Sequence, residues 1–158
     1  MIKLHKEGKL QEVEPSDDIK KAYLQRSNES LSSAKTLLKI GNLKDAVALA
    51  YYSMYHCLLA VLFRIGIKCE NHAAAIILLK EVFGIDDTKI SKAKKERVDK
   101  QYYVDFEVNQ EEAVNAINAA EEFISEMNVE ISNLNEEKIT DYHKKAVAFF
   151  KEEKDNNS

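Results

Sequence analysis

The stretch that most constrains this chain is residues 42–66, NLKDAVALAYYSMYHCLLAVLFRIG. Between positions 46 and 65 its clearly polar side chains, tyrosine hydroxyls apart, are Ser53, His56 and Arg64. Leu43, Val47, Ala50, Met54, Leu58, Val61 and Ile65 recur at alternating steps of three and four. Ala48, Tyr52, Tyr55, Leu59 and Leu62 run beside them. A third stripe, Ala46, Ala50, Ser53, Cys57, Ala60 and Arg64, is built mostly of small residues. A helix apolar nearly all round belongs in the middle of other helices. Asn42 is the expected N-cap, Asp45 suits the first turn, and Gly66 suits a left-handed stop. The small stripe predicts close approach of another helix, either the one after Asn109 or a helix of a second copy.

Composition supports an all-α fold. The 158 residues hold four Gly, one Pro and no Trp, too few turn formers for a sheet protein. That length is enough for one domain with a sizeable core. A formal charge of -4 excludes a chain that binds nucleic acid by overall charge, while leaving local basic patches open. Cys57 and Cys69 form no CxxC and no disulfide framework, so reduced thiols and a cytoplasmic setting are expected. Lys3, Lys6, Glu7, Lys9 and Glu12 interrupt the opening residues, against a signal peptide. His56, Arg64 and the tyrosines argue against a membrane span in the long apolar run.

The remaining elements follow from caps and stops. Residues 1–15 read as an arm, an extended piece laid on the bundle and ending at Pro15. Residues 16–134 read as an up-and-down four-helix bundle with extra short helices. Ser16 caps its first helix, whose inner face is Tyr23, Leu24, Ser27, Leu31, Ala34, Leu37 and Leu38. Gly41 and Asn42 alone join it to the central helix, which predicts an antiparallel hairpin. After a loop, IKCE, Asn71 caps HAAAIILLKEVF, which ends at Gly84. A basic helix spans about residues 89–103. Asn109 caps the next helix, with Ala113, Ile117, Ala120, Ile124, Met127, Ile131 and Leu134 in one stripe. Residues 135–158 read as an appended helix capped by Asn135, followed by a frayed tail.

Helical bundles often hold di-iron sites on Glu-x-x-His, so the histidines were tested for that spacing. Ile2, Ser53, Cys69 and Thr140 stand three residues before His5, His56, His72 and His143, so no metal and no cofactor is expected. His56 and His143 read as packing residues. His72, at a helix start, is better placed to meet an anion.

The stretch KISKAKKERVDKQYY carries Lys89, Lys92, Lys94, Lys95, Arg97 and Lys100 against Glu96 and Asp99, a net +4 in an acidic chain. Tyr102 and Tyr103 follow. Basic side chains beside aromatic ones suit phosphate contact and base stacking. A solvated helix face explains the lysines as well. Arg97, however, shares a stripe with Ile90, Ala93 and Val104 and so points with the apolar residues. A guanidinium aimed inward needs a partner on another helix, a ligand, or a route for snorkelling.

AYYSMYH on a long helix, then GIKCENH, then ERVDKQYYVDF before another long helix, resembles the HEPN superfamily, in particular its small prokaryotic and archaeal members. The resemblance covers residues 16–134. It implies a four-helix bundle and a homodimer. Many members are metal-independent RNases, commonly toxins neutralised by a small nucleotidyltransferase, with an Arg followed after four to six residues by a His. Arg97 fits the Arg. The His position falls on Tyr102, Tyr103 or Val104, so the usual proton carrier is absent.

The expectation is therefore a dimeric HEPN-like protein, non-catalytic or atypical, with a nucleotide- or RNA-binding cleft and a nucleotidyltransferase as partner. Arg97, Tyr102, Tyr103 and Tyr52 would line the cleft, with Lys94, Lys95 and Lys100 attracting phosphate. The first alternative is an RNase toxin using Arg97 with His72 or Tyr102. The second is a helical interaction module without a ligand.

Overall fold

The computed structural model describes residues 1–102 and 107–151, with residues 98–102 described by their backbone alone. The predicted Tyr103, and the side chains of Lys100 and Tyr102, lie outside the described residues. Helix α1 spans Ile2–Lys6, strand β1 Leu10–Glu12, α2 Asp17–Lys39 and α3 Leu43–Arg64. Strand β2 spans Ile67–Cys69, α4 His72–Phe83, α5 Thr88–Tyr102, α6 Gln110–Ser132 and α7 Glu136–Lys151. The fold is all-α, with one small two-stranded sheet among the described residues.

The bundle is assembled around α3. Met54, Leu58, Val61 and Leu62 on it are fully buried, as are Ala50, Tyr51 and Cys57. Helices α2, α5 and α6 pack on α3, and α2 makes by far the most extensive interface. By length and composition α3 could cross a membrane, yet 83% of its most apolar window is buried inside the protein, the pattern of a core helix.

The small stripe of α3 is met at Ser53 by α2, where α6 was the favoured neighbour within the chain. Ser27 Oγ donates to the Ser53 carbonyl at 2.7 Å. A two-residue link leaves α2 and α3 side by side, so the first helix claims the closest contact. Burial pushes the Cys57 thiol up to about 12, and neither Cys57 nor Cys69 is in a disulfide.

Side-chain caps fall where the sequence puts them for α2, α4, α6 and α7. Ser16, Asn71, Asn109 and Asn135 accept from the amides of Ile19, Ala74, Glu112 and Lys138. Asn42 is the exception. It occupies the N-cap of α3 but makes no side-chain cap bond, because its backbone, at φ -86° and ψ 72°, departs from the extended geometry of the other caps. Gly41, at φ 79°, turns the chain so that the Asn42 amide bonds back to Leu37.

Two short elements correct the expectations of an arm without a helix and a loop after Gly66. The arm contains the one-turn helix α1. The loop IKCE contains β2, paired antiparallel with β1 in the register Leu10↔Cys69, Gln11↔Lys68 and Glu12↔Ile67. Three residues are too few to show a period of two, so burial of Leu10, Ile67 and Cys69 at the bundle end holds the pair together. Helix α7 closes this end, burying Ile139, Ala146 and Phe150. His143, read as a packing residue, instead clamps the end of the bundle. Its Nδ1 lies 2.7 Å from the Ile65 carbonyl and its Nε2 2.9 Å from Glu12 Oε1.

Candidate anion-binding site at Arg97

Between positions 46 and 62 of α3, every residue is buried except Leu49, Tyr52 and His56. Steps of three and four put them on one line, the single open line of that stretch. Helices α4 and α5 bring charged and titratable groups to it.

Ile90 is fully buried and Ala93 nearly so, which turns the same face of α5, and Arg97 with it, toward α3. Arg97 Nη1 donates to the Tyr52 hydroxyl at 2.5 Å. Its guanidinium carbon lies 5.2 Å from the Tyr52 ring centroid and 5.4 Å from that of Tyr51. Both distances fall within the range of cation–π attraction. Arg97 Nε is buried with no hydrogen-bond partner. Among the described residues, the inward Arg97 of the sequence thus finds a partner on another helix, the Tyr52 hydroxyl.

His72 opens α4 immediately after its cap, Asn71. Its Nδ1 lies 2.6 Å from the Tyr51 hydroxyl, and its ring stacks on Tyr55 with centroids 3.8 Å apart at 16°. Burial drives the Tyr51 and Tyr55 phenols far above their ordinary values, so both remain protonated. The hydrogen bond between the Tyr51 hydroxyl and Nδ1 fits either neutral tautomer of His72. Partial burial, then the charges of Arg97 and Lys94, hold the His72 pKa below its ordinary value.

His56, read from the sequence as a packing residue, belongs to the same surface. It is half-buried, stacks on Tyr52 at 6.1 Å and 27°, and has Ser30 Oγ 3.4 Å from Nδ1. Partial burial, then the charges of Arg26 and His72, lower its pKa. The available signal was its step of four from Tyr52. Tyr51 enters the sequence reading only within AYYSMYH and Tyr55 only there and in an apolar stripe, yet both hold the His72 ring.

Of the residues expected to form a cleft, the structure brings Arg97, Tyr52 and His72 together and places Lys94 where its charge reaches His72. Lys94 and Lys95 border a groove of about 470 Å³ floored by Ala73, Ile76 and Ile77. Among the described residues no group of three or more His, Cys, Asp or Glu side chains could hold a metal ion. The chemistry this arrangement offers is anion binding by a guanidinium and a lysine, beside an imidazole that is neutral at neutral pH.

A central apolar helix packed by α2, α5 and α6, with an Arg on a basic helix facing its tyrosines, defines an all-α helical bundle. Residues 21–131 match the HEPN domain profile, well over half of the chain, and the chain belongs to that family. It is also 41% identical over 54 residues to UPF0332 protein PH1297 of Pyrococcus horikoshii. That match covers 34% of this chain and 38% of the relative's length.

Proposed function

We propose that this HEPN-family chain binds RNA or a nucleotide through phosphate at Arg97, as a homodimer, and cleaves RNA weakly or not at all. The observation that carries this reading is the state of the Arg97 guanidinium. A neutral hydroxyl and two aromatic faces hold it in place, and its Nε is buried without a partner. A hydroxyl orients a guanidinium without neutralising it, so among the described residues nothing withholds the charge from an anion. Lys94 adds attraction, and the rings of Tyr52 and His56 offer stacking surfaces along the open line of α3. That open line is also the surface on which a second copy would complete the cleft. A small nucleotidyltransferase is the protein partner this reading expects.

The position of His72 favours a second reading, a metal-independent RNase. A neutral imidazole near a guanidinium pairs a general base with a stabiliser of phosphate charge. Arg97 alone cannot exchange protons near neutral pH. Both catalytic helpers would then come from different helices, α4 and α5, with the histidine outside the stretch after Arg97.

The experiment is a metal-free incubation with labelled RNA, comparing wild type with Arg97→Ala, His72→Ala and Tyr102→His. The first reading expects retention of RNA without cleavage, and binding lost in Arg97→Ala. Cleavage by wild type that is abolished by both Arg97→Ala and His72→Ala would replace it with the RNase. Cleavage gained in Tyr102→His would mean that the site lacks only its proton carrier; a positioned acid or base is typically worth about 10²–10⁴ in rate. Sedimentation at micromolar concentration tests the dimer, and a clean monomer would remove the composite cleft.

A further inference from the structure

Helices α4 and α5 are consecutive and both rest on α3, but they touch one another little. The gap between them is the groove of about 470 Å³, in the size range of small-molecule sites. Its floor is aliphatic. Ile76 is nearly buried, while Ile77 is 44% exposed in a helix whose other large apolar residues are mostly covered. The polar groups along its α5 side follow an order. Asp87 precedes the helix, Ser91 lies in its first turn, and Lys94 and Lys95 follow; Arg97, two residues further along α5, lies beyond the groove lining. The sequence of chemistries is carboxylate, hydroxyl, ammonium, guanidinium. Ser91 and Arg97 are separated by about 9 Å along the axis at 1.5 Å per residue.

The anion site joins this groove at one end. Ala73, on the floor, directly follows His72, whose ring lies edge-on to Tyr52, the acceptor of Arg97, and Lys94 borders the groove. A ligand whose anionic end meets Arg97 and Lys94 therefore has an open apolar floor beside it, and acceptors beyond that floor.

Building on the phosphate-binding reading, we infer that the α4–α5 groove is the nucleoside half of the same site. The ligand unit is a nucleoside phosphate. Its phosphate meets Arg97 and Lys94, its base lies on Ile76 and Ile77, and its hydroxyl or amino donors face Ser91 and Asp87. Charge complementarity selects this occupant. The cations stand at the phosphate end and the single carboxylate at the donor-rich end, whereas an acidic peptide would place charge along the whole groove.

Calorimetric titration of the full chain with AMP, ribose 5-phosphate and inorganic phosphate tests this. Ile77→Gln removes the exposed apolar floor and keeps a good helix former, and circular dichroism checks that the variant is folded. Wild type should bind AMP at least about tenfold more tightly than ribose 5-phosphate, the worth of about 1.4 kcal/mol. Ile77→Gln should bring AMP down to the level of ribose 5-phosphate without changing the latter. Asp87→Asn should weaken AMP and leave inorganic phosphate unchanged. Equal binding of AMP and ribose 5-phosphate by wild type, or an AMP preference that survives Ile77→Gln, overturns the groove assignment while phosphate binding at Arg97 stands. Unchanged binding of all three ligands by Arg97→Ala, or no binding to wild type, overturns the phosphate site and the groove with it.

Discussion

The Tyr52 hydroxyl lies 2.5 Å from Nη1 of Arg97 and joins the open line of α3 to the basic face of α5. Forty-five residues separate the two in sequence. Tyr52→Phe keeps the ring under the guanidinium and removes only the acceptor. Leaving a partly buried charged donor unpaired costs about 1–3 kcal/mol, and urea denaturation should show a loss in that range. A variant as stable as wild type would mean that the hydroxyl does not hold Arg97.

Leu58 is fully buried on α3. Leu58→Ala should cost about 2–5 kcal/mol, through lost burial and the cavity left behind. Chemical denaturation measures it, and a loss below about 0.5 kcal/mol would contradict the placement of α3 at the centre.

Gly66 has φ 83° and sits where three elements converge. A Cβ there would lie 2.6 Å from the Val13 carbonyl oxygen and 2.7 Å from His143 Nδ1. Gly66→Ala therefore combines an unfavourable backbone conformation with a collision against backbone. Its cost should exceed the roughly 1 kcal/mol scale of glycine substitutions at compatible sites. A variant with wild-type thermal stability would contradict the close approach of the arm and α7 to this turn.

Acid should weaken the protein through His56 and His72. Both have folded-state pKa values below the ordinary 6.5, because partial burial disfavours their charged forms. The unfolded chain then takes up protons first as pH falls. Their stabilisation is complete above about pH 6.5 and is lost on going from there down through the folded values. Denaturation midpoints between pH 8 and pH 5 should fall for wild type. The slope should be flatter for the double variant His56→Gln, His72→Gln, and equal slopes would contradict the burial of these rings.

The parts of this fold that were legible in sequence are those with strong local chemistry. Ser16, Asn71, Asn109 and Asn135 announce helix starts through their own hydrogen bonds, and the stripe on α6 gives its buried face directly. The β1–β2 pair was not legible, because its stability comes from contacts between segments far apart in sequence rather than from a pattern in either. Arg97 was legible as an inward cation from its alignment with Ile90 and Ala93. Its partner was not, since periodicity on α3 orders the residues around the helix without saying which line stays uncovered. His56 was assigned to packing for the same reason. Tyr103 and the side chains of Tyr102 and Lys100 lie outside the described residues, so their expected place in the cleft remains part of the proposal.

The central claim is that Arg97 is the anion-binding group of this HEPN chain. Fluorescence anisotropy of a labelled single-stranded RNA, titrated with wild type and Arg97→Ala over a series of salt concentrations, tests it most directly. Phosphate contacts release counterions, so wild-type affinity should fall linearly on a log–log plot. Arg97→Ala should bind at least about tenfold more weakly at low salt, with a slope reduced by about 0.7, the contribution of one phosphate contact to a single strand. Superimposable curves for the two proteins would contradict the account.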